Sequence, residues 1–183
     1  MNYRVVLKQE RQQALKFGHP WVFSRAILKV DTEVKDGDVV TVVSVKGEVL
    51  GTAYYNSKSQ IALRFFEFGK EILLDSRYFV DKFKKLQLLR EEFIDLKQTN
   101  AYRLVFGESD GLPGLIVDRY GDFMVIQLHT LGIDKLRNVI VEALLEVFGP
   151  TGIYERSDVD VRHKEGLVDL PKQVLAGVEP PEL

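Results

Sequence analysis

The stretch VVTVVSVKGEVLGTAYY, residues 39–55, has the strongest secondary-structure pattern in the chain. Its first five residues are four valines and Thr41, a β-branched run that favours an extended strand. Lys46 and Gly47 are the residue types of a tight turn, and the residues from Glu48 to Tyr55 predict a second strand. Two short strands joined by a tight turn indicate an antiparallel β-hairpin.

More short strands surround this hairpin on both sides. Residues 3–7 and 61–68 have the composition of strands, and the Asp-Gly-Asp at 36–38 predicts a turn before the hairpin. Residues 9–17 predict one or two helical turns between the first strands. Short strands with frequent turns are typical of small barrels. We therefore predict a small β-barrel domain over residues 1–72.

The hydrophobic period changes after residue 72. Apolar residues then recur every three or four positions from 76 to 97 and from 133 to 148, which predicts two amphipathic helices. We expect residues 73–183 to form a mixed second domain with two main helices and a mostly antiparallel sheet, so that the fold class is α+β. The strands predicted in this domain lie at 102–106, 115–119, 123–128 and 152–155.

Composition and charge exclude several classes of protein. The chain has no cysteine, so these 183 residues contain no disulfide, thiolate metal site or cysteine nucleophile. The N-terminus has no signal-peptide core and no apolar run could span a bilayer, so we expect a cytoplasmic protein without a membrane partner. Residues 1–72 hold eleven Lys or Arg and eight Asp or Glu, whereas residues 73–183 hold fourteen and nineteen. A local basic surface can bind phosphate even on an acidic chain.

The segment GHPWVFSR, residues 18–25, combines turn, aromatic and basic residues. RNA-binding proteins contact phosphates with Lys and Arg and stack aromatic rings on unpaired bases. We predict that Trp21 and Phe23 belong to the barrel core and that basic residues make the RNA contacts. The candidate RNA-binding residues are Arg11, His19, Arg25 and Lys46.

The stretch GESDGLPGLIVDRYGD, residues 107–122, combines turn-forming residues with acidic side chains. Its glycines do not match a phosphate-binding pattern, and the sequence predicts no strand–glycine loop–helix unit anywhere. The residues favour a loop followed by a hairpin. Glu108 and Asp110 leave open a pair of carboxylates that act in hydrolysis, but no nucleophile or set of metal ligands in the sequence supports it.

A second charged motif lies near the C-terminus. Asp158, Asp160 and Arg162 alternate, which predicts one face of a strand carrying an ion pair rather than a metal site. The three histidines are far apart in the sequence, and His129, at the end of an apolar strand, is predicted to be structural. We therefore predict neither a metal site nor a catalytic residue in this chain.

The first domain resembles a known RNA-binding fold. GHPWVFS at 18–24, DGD at 36–38 and the segment from Ser59 to Arg64 are similar to a PUA domain, which is a small β pseudobarrel. The resemblance implies that residues 1–72 bind RNA, with His19, Arg25 and Lys46 on the contact surface.

The second domain extends the resemblance over essentially the whole chain. GESDGLPGLIVDRY at 107–120 resembles the hallmark stretch of bacterial large-subunit ribosomal-RNA cytosine-C5 methyltransferases, and YERSD at 154–158 fits the same family. The resemblance implies that residues 73–183 form the family's central domain. It also implies a following Rossmann-like domain that binds S-adenosylmethionine and lies outside this chain.

The resemblance implies a function without catalysis by the chain alone. Synthesis of 5-methylcytosine needs a thiolate that adds to the ring, and the chain has no cysteine. S-adenosylmethionine is thus expected in the full-length family and no cofactor for this chain alone, with ribosomal RNA as partner and a homodimer possible. The implied role is the RNA-binding and substrate-positioning portion of the methyltransferase; the alternative is a standalone PUA-containing RNA-binding adaptor. The residues implied to line the wall of the active-site cleft are Glu108, Ser109, Asp110, Arg156, Ser157, Asp158 and Arg162.

Overall fold

The structure is a computed structural model that describes residues 3–168 and 170–181. Two β-sheets and five α-helices make up the described part of the chain, and the α+β prediction is confirmed. No helix in this part is long and apolar enough to cross a membrane. In chain order the elements are β1 (Tyr3–Leu7), α1 (Gln13–Lys16), β2 (Trp21–Phe23), β3 (Ile27–Val30), β4 (Val39–Val43), β5 (Val49–Tyr55), β6 (Ile61–Phe68), α2 (Ser76–Phe93), β7 (Ala101–Phe106), β8 (Leu115–Tyr120), β9 (Phe123–Leu128), α3 (Leu131–Lys135), α4 (Arg137–Phe148), β10 (Gly152–Glu155), α5 (Val161–Lys164) and β11 (Gln173–Gly177).

The first sheet is curled into a half-barrel. Its strand order is β2-β6-β5-β4-β1-β3, so the two edge strands are β2 and β3. A single 3-10 turn, Ser24–Ala26, joins these two edges, and this short connection requires the sheet to bend round on itself. The buried interior of the half-barrel contains Val5, Leu7, Leu15, Val22, Ala26, Val40, Val42, Ala53, Leu63 and Phe65.

The edge strand β2 corrects one prediction. Val22 is buried in the half-barrel, but Trp21 is 36% exposed and Phe23 is 52% exposed. The prediction that both aromatic residues belong to the barrel core was wrong. Side chains alternate between the two faces of a strand, so a three-residue strand with Val22 facing inward directs both neighbours outward.

The second sheet is mostly antiparallel, as predicted, and has the order β11-β10-β9-β8-β7. Its parallel pair is β9 with β10, and α3 and α4 connect these two strands. The order strand, helix, strand was predicted, but the parallel pairing of the two strands was not. Only His129 and Thr130 separate β9 from α3, so no glycine-rich loop lies between them. The strand β11 was not predicted either; it pairs antiparallel with β10 at the edge of the sheet.

The two main helices differ from their predictions mainly at their ends. The side chain of Asp75 accepts a hydrogen bond from the Tyr78 amide at 2.9 Å and so caps the start of α2. Helix α2 ends at Phe93 rather than at residue 97, and the predicted helix over 133–148 is divided at Leu136 into α3 and α4. Both main helices pack together over the second sheet.

The two parts of the chain share a common wall. A second hydrophobic core lies between the second sheet and the helices that cover it. On β5, Ala53 faces the half-barrel interior, whereas Tyr54 packs into this second core. On β6, Phe65 and Phe66 divide in the same way. The backbone of Gly132 in α3 lies so close to Tyr54 that an added Cβ would stand 2.1 Å from the ring. The division of the chain after residue 72 stays a prediction, but these contacts join the two sheets directly.

Candidate nucleic-acid interface

A groove of about 420 Å³ lies between α1, β2 and the 3-10 turn that follows β2. Three of the four predicted RNA-binding residues, Arg11, His19 and Arg25, line it together. The exposed rings of Trp21 and Phe23 line the same groove. We call this set of five residues the basic–aromatic groove. It combines exposed cations with exposed aromatic rings, the two features that contact phosphates and unpaired bases.

Several polar groups of this groove have donors that no described partner takes up. His19 Nδ1 accepts a hydrogen bond from the Trp21 amide at 3.2 Å, which leaves Nε2 as the nitrogen that can donate. The His19 and Trp21 rings meet edge to face with centroids 5.8 Å apart. Over the described ranges neither Arg11 nor Arg25 forms an ion pair through its guanidinium, so both charges remain available to an anion.

Lys46, the fourth predicted RNA-binding residue, lies elsewhere. It belongs to the turn between β4 and β5 and lines a separate cavity of about 490 Å³ beside Lys16 and Phe17. Two acidic residues, Glu10 and Glu48, line the same cavity and oppose the binding of phosphate. The structure therefore separates Lys46 from the other three predicted residues.

A larger cleft of about 830 Å³ lies between the half-barrel and the second sheet. Trp21 and Phe23 line this cleft as well as the groove, so the two rings form a ridge between the two depressions. Two lysines, Lys58 and Lys164, are exposed at the cleft. The remaining residues around the cleft are Ser59, Gln60, Ile61, Arg64, Glu108, Gly114, His129, Thr130, Val161 and Glu165.

A buried ion-pair cluster forms the base of the cleft. Arg64 on β6 donates to Glu108 Oε1 at 2.8 Å and to Glu165 Oε1 at 3.0 Å. The Arg64 side chain is only 9% exposed and that of Glu165 only 2%. Trp21 Nε1 donates to the same Glu108 oxygen at 2.8 Å, and the Arg64 guanidinium lies 5.3 Å from the centre of the Trp21 ring. The cluster thereby ties the half-barrel to the second part of the chain.

Glu165 accepts further hydrogen bonds from side chains of the half-barrel. Asn56 Nδ2 donates to its main-chain oxygen at 2.9 Å and to Oε2 at 3.1 Å, and Ser59 Oγ donates to Oε1 at 2.7 Å. Sequence reasoning did not identify Arg64 or Glu165 as functional. The available indication was Arg64 itself, a charged residue in the middle of the apolar strand β6, since such a residue needs a buried partner.

The predicted cleft-wall residues at 108–110 point in different directions. Glu108 lines the cleft, and the neighbouring Ser109 is exposed. Asp110 accepts hydrogen bonds from Arg90 Nη2 at 2.5 Å and from the Phe106 amide at 2.6 Å, with a side chain only 7% exposed. Asp110 therefore fixes the loop after β7 against α2.

The predicted cleft-wall residues at 156–158 also divide. Arg156 and Asp158 are exposed, with Arg156 Nε and Asp158 Oδ1 3.9 Å apart. Ser157 is buried, donates to Glu155 Oε1 at 2.6 Å and accepts from the Leu128 amide at 2.9 Å. Ser157 thus connects the ends of the parallel strands β9 and β10.

Arg162 corrects the prediction for the C-terminal charged motif. Its side chain is 1% exposed and donates to the Leu128 carbonyl and to Asp134 Oδ1 at 3.1 Å. Asp134 also accepts from Arg137, which pairs with Glu155. The predicted strand with Asp158, Asp160 and Arg162 on one face was wrong. Arg162 instead belongs to α5, and its hydrogen bonds connect α5 to the end of β9 and to Asp134 of α3.

His129 also lines the cleft, and its pKa is shifted. Burial lowers its pKa below the ordinary histidine value, and the positive charges of Arg162 and Arg103 act in the same direction, while Glu108 opposes them. Its Nε2 lies 2.9 Å from Gln127 Oε1. In the ranges that the structure covers, no group of three or more His, Cys, Asp or Glu side chains could hold a metal ion.

Comparison with protein families matches residues 5–68 to a PUA-like domain. These residues run from β1 to the last residue of β6 and thus contain the half-barrel. All five residues of the basic–aromatic groove lie inside this match. The N-terminal part of the chain is a PUA-like domain.

Curated relatives extend the similarity over the whole chain. Ribosomal RNA large subunit methyltransferase I from Vibrio parahaemolyticus is 43% identical over 182 residues, which are 100% of this chain and 45% of that protein. The protein of the same name from Aliivibrio fischeri is 41% identical, again over 100% of this chain, and 46% of its length is covered. The chain thus spans less than half the length of these relatives.

Solved structures give a consistent result. A Streptococcus mutans chain described as "a putative sam-dependent methyltransferase" has a TM-score of 0.78 and 27% identity, covering 98% of this chain and 44% of that one. A second solved chain, with the same scores and coverage, is described as a methyltransferase "complexed with SAH". This chain therefore contains a PUA-like domain, and over its whole length it is homologous to a portion of the ribosomal RNA large subunit methyltransferases I.

Proposed function

We propose that this chain is the RNA-binding and substrate-positioning portion of an S-adenosylmethionine-dependent ribosomal RNA cytosine-C5 methyltransferase and transfers no methyl group by itself. In this proposal residues 1–72 contact the RNA and residues 73–183 position the target beside the methyltransferase domain. The proposal locates that domain, and the binding of S-adenosylmethionine, outside these 183 residues.

The basic–aromatic groove is the observation that carries the proposal. Its two arginines are exposed, and neither forms an ion pair within the described chain. Both guanidinium groups can therefore contact an anion. Its two aromatic rings are exposed on an edge strand, although the hydrophobic effect favours their burial. Exposed rings and unpaired cations at one place on a PUA-like domain support RNA as the ligand.

The proposed division of labour follows from the chemistry available in the chain. A thiolate nucleophile would have to come from outside these residues, because they contain no cysteine. The turn between β9 and α3 does not fit a nucleotide cofactor: Thr130 there is buried, and the Tyr54 ring fills the space above Gly132. We therefore derive no methyl-transfer step from this chain's side chains.

The seven predicted cleft-wall residues fall into two groups, one with exposed or cleft-facing side chains and one with internally bonded side chains. Glu108, Ser109, Arg156 and Asp158 have exposed or cleft-facing side chains and would face the RNA target. The other three, Asp110, Ser157 and Arg162, are held by internal hydrogen bonds and would position their neighbours.

Binding of a ribosomal RNA fragment at several salt concentrations tests the proposal. We expect fluorescence polarisation to give an affinity that falls as salt rises from about 50 to 200 mM, because phosphate contacts release counterions. The Arg11→Gln/Arg25→Gln variant should reduce the slope of log K against log salt by about 0.7 for each lost contact to a single strand.

The matched control is Arg77→Gln/Lys84→Gln, which removes the same charge from the exposed side of α2. This control should leave the slope of the parent chain nearly unchanged. Salt-independent binding, or no binding to any structured ribosomal RNA fragment, would contradict RNA binding. Transfer of labelled methyl groups from S-adenosylmethionine by the chain alone would contradict the proposed absence of catalysis.

A further inference from the structure

The cleft between the half-barrel and the second sheet is large enough to hold a small ligand. Its volume of about 830 Å³ lies within the range of small-ligand sites, about 300 to 1,000 Å³. Its lining combines the rings of Trp21 and Phe23 with polar groups that include His129. Aromatic rings together with polar groups are suited to a planar ligand with hydrogen-bonding edges, such as a nucleobase.

The Trp21–Phe23 ridge makes the cleft continuous with the basic–aromatic groove. Both rings line both depressions, so a ligand that lies over the ridge can contact the groove and the cleft at once. Because β2 is an edge strand, none of the described strands covers it on the outer side. A flexible chain with planar groups can follow such a surface, whereas a compact ligand would fill only one of the two depressions.

The charges around the cleft favour a phosphate backbone despite two glutamates. Glu108 and Glu165 are both paired with Arg64, and Glu165 receives further hydrogen bonds from Asn56 and Ser59. Lys58 and Lys164 are exposed beside them, and among the described residues neither forms an ion pair. The three basic residues of the cleft therefore exceed the two acidic ones, and the free charges at its mouth are positive.

We propose that the RNA bound by this chain is an unpaired strand that crosses the Trp21–Phe23 ridge from the basic–aromatic groove, with one of its bases held in the cleft and its phosphates beside Lys58 and Lys164. This inference deepens the proposed function and rests on it, because it takes RNA as the ligand. Bases within a duplex are stacked on their neighbours, so their faces are not available to Trp21 and Phe23, whereas the bases of an unpaired strand are.

Intrinsic fluorescence tests the inference at one defined position, because Trp21 is the single tryptophan of the chain. The probes are an oligouridine of about ten nucleotides, within the usual range of single-strand sites, and its blunt duplex with oligoadenosine. We expect the single strand to quench Trp21 emission saturably and to bind about ten-fold more tightly than the duplex. Equal affinity for the duplex, or binding of the single strand without a change in Trp21 emission, would overturn the inference.

Matched variants test the ridge and the cleft separately. Phe23→Ala should weaken binding of the oligouridine about ten-fold, whereas Phe17→Ala, at an even more exposed phenylalanine outside both depressions, should not. Lys58→Gln/Lys164→Gln should weaken it about five-fold at low salt, with Lys84→Gln/Lys85→Gln on α2 as the control.

The outcomes separate this inference from the function on which it rests. If the parent chain binds no RNA of any kind, both proposals fail. If it binds the ribosomal RNA fragment and the Lys58 and Lys164 variant binds oligouridine as the parent does, the cleft holds no part of the strand and only this inference fails.

Discussion

The basic–aromatic groove and the ion-pair cluster around Arg64 lie on two sides of Trp21 and use charged residues in opposite ways. In the groove, Arg11 and Arg25 are exposed and unpaired within the described chain. In the cluster, Arg64 is buried between Glu108 and Glu165. The first arrangement keeps charge available to a ligand, whereas the second uses charge to hold two parts of the protein together.

The difference shows that the position of an arginine in a motif does not decide its role. Arg25 and Arg64 both lie within the residues that match a PUA-like domain, and each has a phenylalanine within two positions in the sequence. The two arginines differ in whether a carboxylate lies within hydrogen-bonding distance. Arg64 has two such partners, Glu108 and Glu165, which follow it by 44 and 101 positions in the sequence. The comparison can be tested with substitutions that remove one charge at a time.

The largest expected effect is on the buried cluster. Arg64→Met removes the cation between Glu108 and Glu165 and leaves a buried, unpaired carboxylate, so we expect the free energy of unfolding to fall by about 3–5 kcal/mol. Urea denaturation followed by circular dichroism measures this change. The matched Arg25→Met variant in the groove should stay within about 0.5 kcal/mol of the parent chain. Similar losses in both variants would remove the distinction between the two sets of charges.

An intermediate effect is expected at the loop after β7. Asp110→Ala removes the acceptor for Arg90 and for the Phe106 amide, so we expect a loss of about 1.5–3 kcal/mol in the free energy of unfolding. The neighbouring Ser109→Ala, at an exposed position, is the control and should change stability by less than about 0.5 kcal/mol. Unchanged stability of Asp110→Ala would favour the role at the cleft wall that the family resemblance implies.

The smallest expected effect is a dependence of stability on pH through His129. Its pKa is lowered in the folded protein, so the unfolded chain binds the proton more readily. The stabilising contribution of neutral His129 is therefore fully present above the ordinary histidine pKa of about 6.5 and is lost as the pH falls through and below that value. The difference in unfolding free energy between the parent and His129→Gln, measured at about pH 7.5 and 5.5, should decrease at the lower pH. A pKa of His129 at or above the ordinary value in a proton NMR titration would contradict this expectation.

Much of the secondary structure followed from local pattern. The strand predictions at 39–43 and 61–68 were confirmed because β-branched and aromatic residues in short runs between turn residues have few alternatives. The helix α2 was identified from its apolar period, since Phe79, Phe83 and Leu86 all face the second core. Its end was misjudged by four residues, because helix ends depend on contacts beyond the helix.

The site was only partly predictable for a physical reason. Arg11, His19 and Arg25 were identified by their chemistry, and the structure brings them together. Trp21 and Phe23 were assigned to the core because large aromatic residues are usually buried, and the sequence does not reveal that β2 is an edge strand. Arg162 was assigned to an ion pair within its own motif, although its actual partner, Asp134, comes from another element.

The sequence by itself determined the local order of strands, turns and helices, the basic character of residues 1–72 and the absence of a thiolate. These properties depend on residue type and on near neighbours, which the sequence contains in full. Only the tertiary structure decided which charges are buried, which aromatic rings are exposed and which two surfaces form the cleft. Those properties arise because chain folding brings together residues as distant as Arg64 and Glu165, and the strength of their interaction depends on the burial that the folded state creates.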